Sequence, residues 1–293
     1  MKFCILAAAM VIMASCKAQP ELKTNPDHNS LLWEISGNHL SKPSYLFGTF
    51  HLICKNDIPA GSQLQEAVKA SGEMYMELDL DDPATMMGGL MLMRMRGDTT
   101  LKTLYTEAEY KKVADFFKDS LQMPLAMLNS TKPFFLSAML YPKMLPCKTM
   151  TGVEEELMKM AKAHHKEIRG LETMAFQAAV FDSIPYTVQA KELLHSIDSL
   201  AEYRRLFDTM VQAYRSQQLN KIEEQFSKTE FGMEENQDIL LDNRNRNWVG
   251  QLKKIMKAGP VFIAVGAGHL VGEQGLIALL KKEGYTLRPL LNK

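Results

Sequence analysis

Two histidines stand at the same spacing from a glycine that follows an apolar run: Leu46-Phe47-Gly48-Thr49-Phe50-His51 and Phe262-Ile263-Ala264-Val265-Gly266-Ala267-Gly268-His269. A neutral imidazole can bind a divalent metal or move a proton near neutral pH. Either histidine alone reads as structural; two in one local context point to a shared site. A third group, Glu77, ends the apolar run Met74-Tyr75-Met76. It reads either as a reacting carboxylate or as the brace of an arginine. Asp79 and Asp81 read as loop residues, and Asp82-Pro83 reads as a helix start.

The elements that must position these groups follow from apolar spacing. Strands are expected over 31–35, 44–47, 74–78, 261–265 and 286–290, each bounded by turn residues. Helical spacing covers 62–70, 107–121, 134–140, 153–163, a long stretch over 189–217, then 236–257 and a segment ending at Lys282. The fold class expected is mixed α/β (α+β), with a sheet assembled from N- and C-terminal strands and a large helical insertion over roughly 83–240. Strand ends in such sheets collect functional groups, because the sheet fixes the backbone while the loops present side chains.

The 293 residues suit one large domain or two small ones, and 46% hydrophobic with 23% charged residues is ordinary for a globular chain. Lysine plus arginine and aspartate plus glutamate number 34 each, and no basic run is present, so nothing argues for nucleic acid as a partner. Residues 1–15 read as a signal peptide: Met1-Lys2, then an apolar core too short to span a bilayer. Met13-Ala14-Ser15-Cys16 is similar to a lipobox, which makes Cys16 a lipidation site; cleavage after Ala18 is the alternative. Residues 16–30 read as a lipidated or free tether before a domain over 31–291. The expectation is an exported protein, membrane-anchored by lipid and facing the periplasm or cell exterior. In an oxidising compartment Cys54 and Cys147 read as one bridge or as two buried thiols.

Together the two Gly-x-x-His motifs, Glu77-Leu78-Asp79 and the closing Val265-Gly266-Ala267-Gly268-His269-Leu270 resemble the TraB/GumN family, relatives of the Tiki metalloproteases. The likeness continues in Gly170-Leu171-Glu172-Thr173 with Gln177, in Asn243-Arg244-Asn245 with Trp248, and in Gly272-Glu273-Gln274-Gly275. It implies metal-dependent hydrolysis, of peptides in the Tiki manner, with manganese or cobalt as the divalent metal. By matching positions it makes His51, Glu77 and His269 metal ligands, or one of them a general base. Arg244 is then expected to hold a carboxylate or stabilise developing negative charge. Glu154 and Glu172 are expected to support these groups, or only to cap and brace. No His-Glu-x-x-His helix is present.

Three readings compete. The leading one is an exported metal-dependent hydrolase acting on a peptide. The others are a non-catalytic TraB-like lipoprotein that sequesters a peptide or small-molecule ligand, and a metal-independent ester or amide hydrolase. The methionines at 86, 87, 91, 93 and 95 read as adaptable packing or a greasy groove, His164-His165 as a solvated helix end, and Arg246 as a surface residue.

Overall fold

Short runs of Val, Ile, Leu, Phe and Tyr at both ends of the chain form strands, and the longer amphipathic segments between them form helices. The computed structural model describes residues 29–59, 61–226 and 236–292. The expected signal segment, Cys16 and the tether as far as residue 28 lie outside the described residues.

Among the described residues eight strands run in chain order: β1 Leu32–Gly37, β2 Ser44–Thr49, β3 Ile53–Cys54, β4 Glu73–Met76, β5 Met150–Thr151, β6 Glu167–Gly170, β7 Val261–Gly266 and β8 Tyr285–Pro289. Six build the main sheet in the order β6-β4-β7-β2-β1-β8, while β3 and β5 form a separate antiparallel pair. The strands β6, β4, β7 and β2 are mutually parallel. β1 lies antiparallel to both of its neighbours. Every residue of β2 is buried, as is β7 up to its last glycine. That is the pattern of parallel strands covered on both faces, and it explains why these two segments read as unbroken apolar runs.

The mixed α/β class and the helical middle are as expected, with local differences. The helices Ser62–Ala70, Glu107–Leu121 and Val153–Ala163 match their apolar spacing. Thr106 and Glu109 close a reciprocal cap on the second of these. The long stretch over 189–217 is two helices, Tyr186–Asp198 and Leu200–Arg215, broken at Ser199. The Ser199 carbonyl accepts from the amides of Glu202 and Tyr203 and so starts the second helix. The helical middle also contributes β6, an edge strand whose sequence Glu-Ile-Arg-Gly buries one side chain and so carries no apolar alternation. Asp82 caps the helix Pro83–Leu92 through the amides of Ala84 and Thr85. Arg246 lies on the surface, bonded to Gln274 and Asn243.

Register brings the ends of the parallel strands level. Thr49 at the end of β2 pairs with Gly266 at the end of β7, and Met76 at the end of β4 pairs with Ala264. Beyond β4 and β6 the two chains stay joined, with the amides of Leu171 and Glu172 donating to the carbonyls of Met76 and Glu77.

Candidate functional site

Four loops leave the sheet along this carboxyl edge, and each carries one of the singled-out groups. His51 follows β2, Glu77 follows β4, Glu172 follows β6, and His269 closes a short 3-10 turn, Ala267–His269, after β7. Two helices complete the set: Arg244 lies in the first turn of Asn243–Ala258, and Glu154 in the first turn of Val153–Ala163. Gly266 sits at the centre. A side chain there would come within 3.3 Å of Glu77 Oε1, 3.7 Å of the His269 ring and 4.0 Å of His51 Nε2. All six residues singled out in the sequence therefore gather around one strand end.

Arg244 is the hub of the buried half. Its Nε donates to Glu172 at 2.9 Å, Nη2 to Glu77 at 2.6 Å and to Glu172 at 2.9 Å. Nη1 donates to the Leu240 carbonyl at 2.9 Å and lies 3.1 Å from His269 Nε2. All five guanidinium N–H groups are thus matched to acceptors, and the group stacks over Trp248, one helical turn on. Of its two expected roles, the geometry realises carboxylate holding. Burial raises the Glu172 pKa in spite of the arginine, and the paired carboxylates raise that of Arg244 itself.

The tautomer of His269 follows from its neighbours. Asn245 Nδ2 donates to the Gln274 carbonyl, which turns Asn245 Oδ1 toward His269 Nδ1 at 2.7 Å. The proton is therefore on Nδ1, and the lone pair of Nε2 faces Arg244. Burial drives the pKa of this ring down to about 3, and the neighbouring guanidinium adds to the effect against the opposing charge of Glu77. Burial alone would raise the Glu77 carboxyl; His269 when protonated, Arg244 and His51, with the Gly266 amide at 2.8 Å, hold it at about 2. Because His269 is neutral above its low pKa, Arg244 and His51 supply the positive charge at neutral pH. Gln177 adds a bond to Glu77 Oε2 at 3.3 Å.

His51 is built differently. Its side chain is 72% exposed, and Nδ1 lies 2.8 Å from Glu154 Oε1. Partial desolvation works to lower its pKa, but the hydrogen bond and charge of Glu154, followed by the charge of Glu77, raise it to about 9. Solvent at this accessible ring screens part of that attraction without reversing it. Glu154 is in turn lowered, burial being outweighed by His51. Gly152 allows the approach: a Cβ there would stand 2.8 Å from the His51 carbonyl and 3.1 Å from Glu154 Oε2.

Three supports hold this loop. Phe50 packs against Phe207 and Tyr214, and the Tyr214 hydroxyl donates to the Gly48 carbonyl at 2.8 Å. β3 pairs with β5, tying the stretch after His51 to the stretch before Glu154. A disulfide joins Cys54 to Cys147 with α-carbons 5.9 Å apart, which settles the question the sequence left open. Tyr214 and the positioning role of Asn245 were not anticipated. The signal for Asn245 was present, since Arg244, Asn245 and Trp248 share the buried face of one helix.

The expected metal set can be tested on its donor atoms. His269 Nε2 is committed to Arg244, Glu77 Oε2 to Arg244 and Gln177, and Glu77 Oε1 to the Gly266 amide. In the expected trio His51 Nε2 and one lone pair of Glu77 Oε1 remain, while the one lone pair of His269 is taken by Arg244. Among the described residues no three His, Cys, Asp or Glu side chains stand in an arrangement that could hold a metal ion. As arranged, His51, Glu77 and His269 do not fit a three-ligand centre.

No helix among the described residues is long and apolar enough to cross a membrane. No solved structure matches the chain. Among curated proteins it is 25% identical over 273 residues to the uncharacterized protein YbaP of Shigella flexneri, covering 85% of this chain and 97% of that protein. It is 22% identical to a metalloprotease TIKI homolog of Amphimedon queenslandica, covering 97% of this chain and 66% of that protein. Over 115 residues it is 30% identical to metalloprotease TIKI2 of Danio rerio, covering 38% of this chain and 20% of that protein. The model of the TraB/PrgY/gumN family matches residues 31–289, the span that contains every group around Gly266, and the chain belongs to that family.

Proposed function

We propose that this protein is a hydrolase of amide or ester bonds, with peptides as its substrate class, and that His51 is its general base. The substrate class comes from the relatives named metalloprotease TIKI. The carrying observation is the His51–Glu154 pair: an accessible imidazole, oriented through Nδ1 by a half-buried carboxylate, with Nε2 turned toward the space over Gly266. A base held by a third group is the arrangement that activates a nucleophile. In its neutral form, a minor fraction at pH 7 that grows as pH rises toward about 9, His51 Nε2 takes a proton from water as the water attacks a carbonyl carbon. Glu154 stabilises the imidazolium that forms, and the imidazolium returns that proton to the leaving amine or alkoxide as the adduct collapses and the C–N or C–O bond breaks. Glu77 lies on the other side of the same space and repels a second anion, so a neutral amide or ester is the favoured occupant.

Kinship would bring manganese or cobalt to this site, where a metal would lower the pKa of bound water. The His269 lone pair committed to Arg244 favours chemistry by the chain's own groups instead. Export with a lipid anchor at Cys16 belongs to the same reading; the apolar leader and the Cys54–Cys147 bridge support it.

The test is a screen of fluorogenic peptides and simple esters with mature protein and with His51→Ala. Turnover that falls about 100- to 10,000-fold in the variant supports the assignment. Saturable peptide binding without turnover would instead indicate a sequestering protein. Palmitate labelling lost in Cys16→Ser checks the anchor.

A further inference from the structure

We propose that the Arg244 guanidinium is the resident cation of this site, occupying the place among Glu77, Glu172 and His269 that a divalent ion would need. The inference deepens the functional reading and rests on it only for the location of the site. Two carboxylates, one imidazole lone pair and a main-chain carbonyl are ordinary acceptors for a hard or borderline divalent ion. Here those acceptors converge on a side chain with five donors, and each donor is used.

The arrangement is built rather than incidental. Arg244 is 7% exposed and lies over the ring of the fully buried Trp248. Asn245, its neighbour on the helix, fixes the His269 ring so that Nε2 and no other atom meets the guanidinium. A π-helical turn, Asp238–Asp242, precedes the helix and places the Leu240 carbonyl against Nη1. A metal at this set would need the same His269 lone pair and a Glu77 oxygen already 2.6 Å from Nη2. It would also add two positive charges beside a permanent one. Guanidinium and metal are therefore mutually exclusive here, and the folded protein takes up a divalent ion at this set only when Arg244 is removed.

Cobalt(II) reports on this directly, because its visible absorption bands appear on coordination and respond to each ligand. Mature, disulfide-bonded protein is titrated with cobalt chloride after chelator treatment, alongside Arg244→Ala and the double variant Arg244→Ala, His269→Ala. The expected result is no saturable band in the unmodified protein, a saturable band in Arg244→Ala, and its loss in the double variant. A saturable band in the unmodified protein that is lost in His269→Ala or His51→Ala overturns the proposal. Absence of any band in a folded Arg244→Ala overturns it as well, since Arg244 would then not be what excludes the ion. Should Arg244→Ala fail to fold, Arg244→Gln replaces it, and the titration of the unmodified protein remains decisive against the proposal. Failure to find a hydrolysable peptide would count against the hydrolase reading and leave these spectra unaffected.

Discussion

The two Gly-x-x-His motifs begin alike, with an apolar parallel strand, a glycine at or near its end and a histidine three residues later, and they finish in opposite environments. His51 is 72% exposed, with one nitrogen on Glu154 and the other uncommitted. His269 is 3% exposed, packed on Trp248, with both nitrogens in use. One ring is driven up to about 9 and the other down to about 3. What separates them is burial, which drives His269 down with Arg244 adding to it, and the Glu154 carboxylate, which lifts the accessible His51. A shared motif therefore fixes where a histidine stands on the sheet and leaves its chemistry to side chains elsewhere in the chain.

The sharpest way to break this comparison is to remove each ring in turn. His51→Ala should lower turnover about 100- to 10,000-fold with a smaller loss of stability than His269→Ala, since solvent screens its pairing with Glu154. His269→Ala should cost about 3 kcal/mol in urea unfolding, from the cavity and from the donor and acceptor left unpaired on Arg244 and Asn245. Equal stability losses in the two variants would erase the distinction.

A second break concerns how each ring is held. His269 is fixed by packing, whereas the His51 loop depends on the β3–β5 pair and a bridge that closes 93 residues. The Cys54→Ser, Cys147→Ser variant should lose about 4 kcal/mol of stability by restored chain entropy. It should also lose rate, with His51 no longer held against Glu154. A loss of stability with unchanged kcat would show that the bridge does not position the base.

Stability should fall toward acid. His269 takes up a proton near its ordinary 6.5 when unfolded and only near 3 when folded, so its contribution is lost as pH drops through that window. Glu77, depressed from 4.5 to about 2, contributes above its unfolded value and loses that contribution as pH falls to about 2. His51 has the opposite sign: its raised pKa contributes fully below 6.5, and that contribution is lost as pH rises through about 9. Thermal unfolding across pH 3 to 9 checks the shape, and in His269→Ala the decline between 6.5 and 3 should flatten.

Much of the frame could be read from the sequence because it is local. Unbroken apolar runs marked β2 and β7, and the helix starting at Glu107 carried its own cap. A shared site for His51 and His269 could be read from their matching motifs, whereas Glu77 and Arg244 joined it through family likeness. Which partner each would take was left open: Glu154 is 103 positions from His51, and Arg244 is 167 from Glu77, separations over which periodicity carries no information. Arg244 and Glu77 were each weighed as a brace or as a reacting group. Counting the donors on the guanidinium was what made Arg244 a brace, and it needed coordinates.

A proton titration of the histidine rings by NMR measures the central contrast most directly. The His51 resonance should titrate near pH 9, and should move toward its ordinary value in Glu154→Gln, taking the ascending limb of kcat/KM with it. The His269 resonance should stay in the neutral Nδ1–H form down to about pH 3. Both rings titrating together near 6.5, unaffected by Glu154→Gln, would contradict the account.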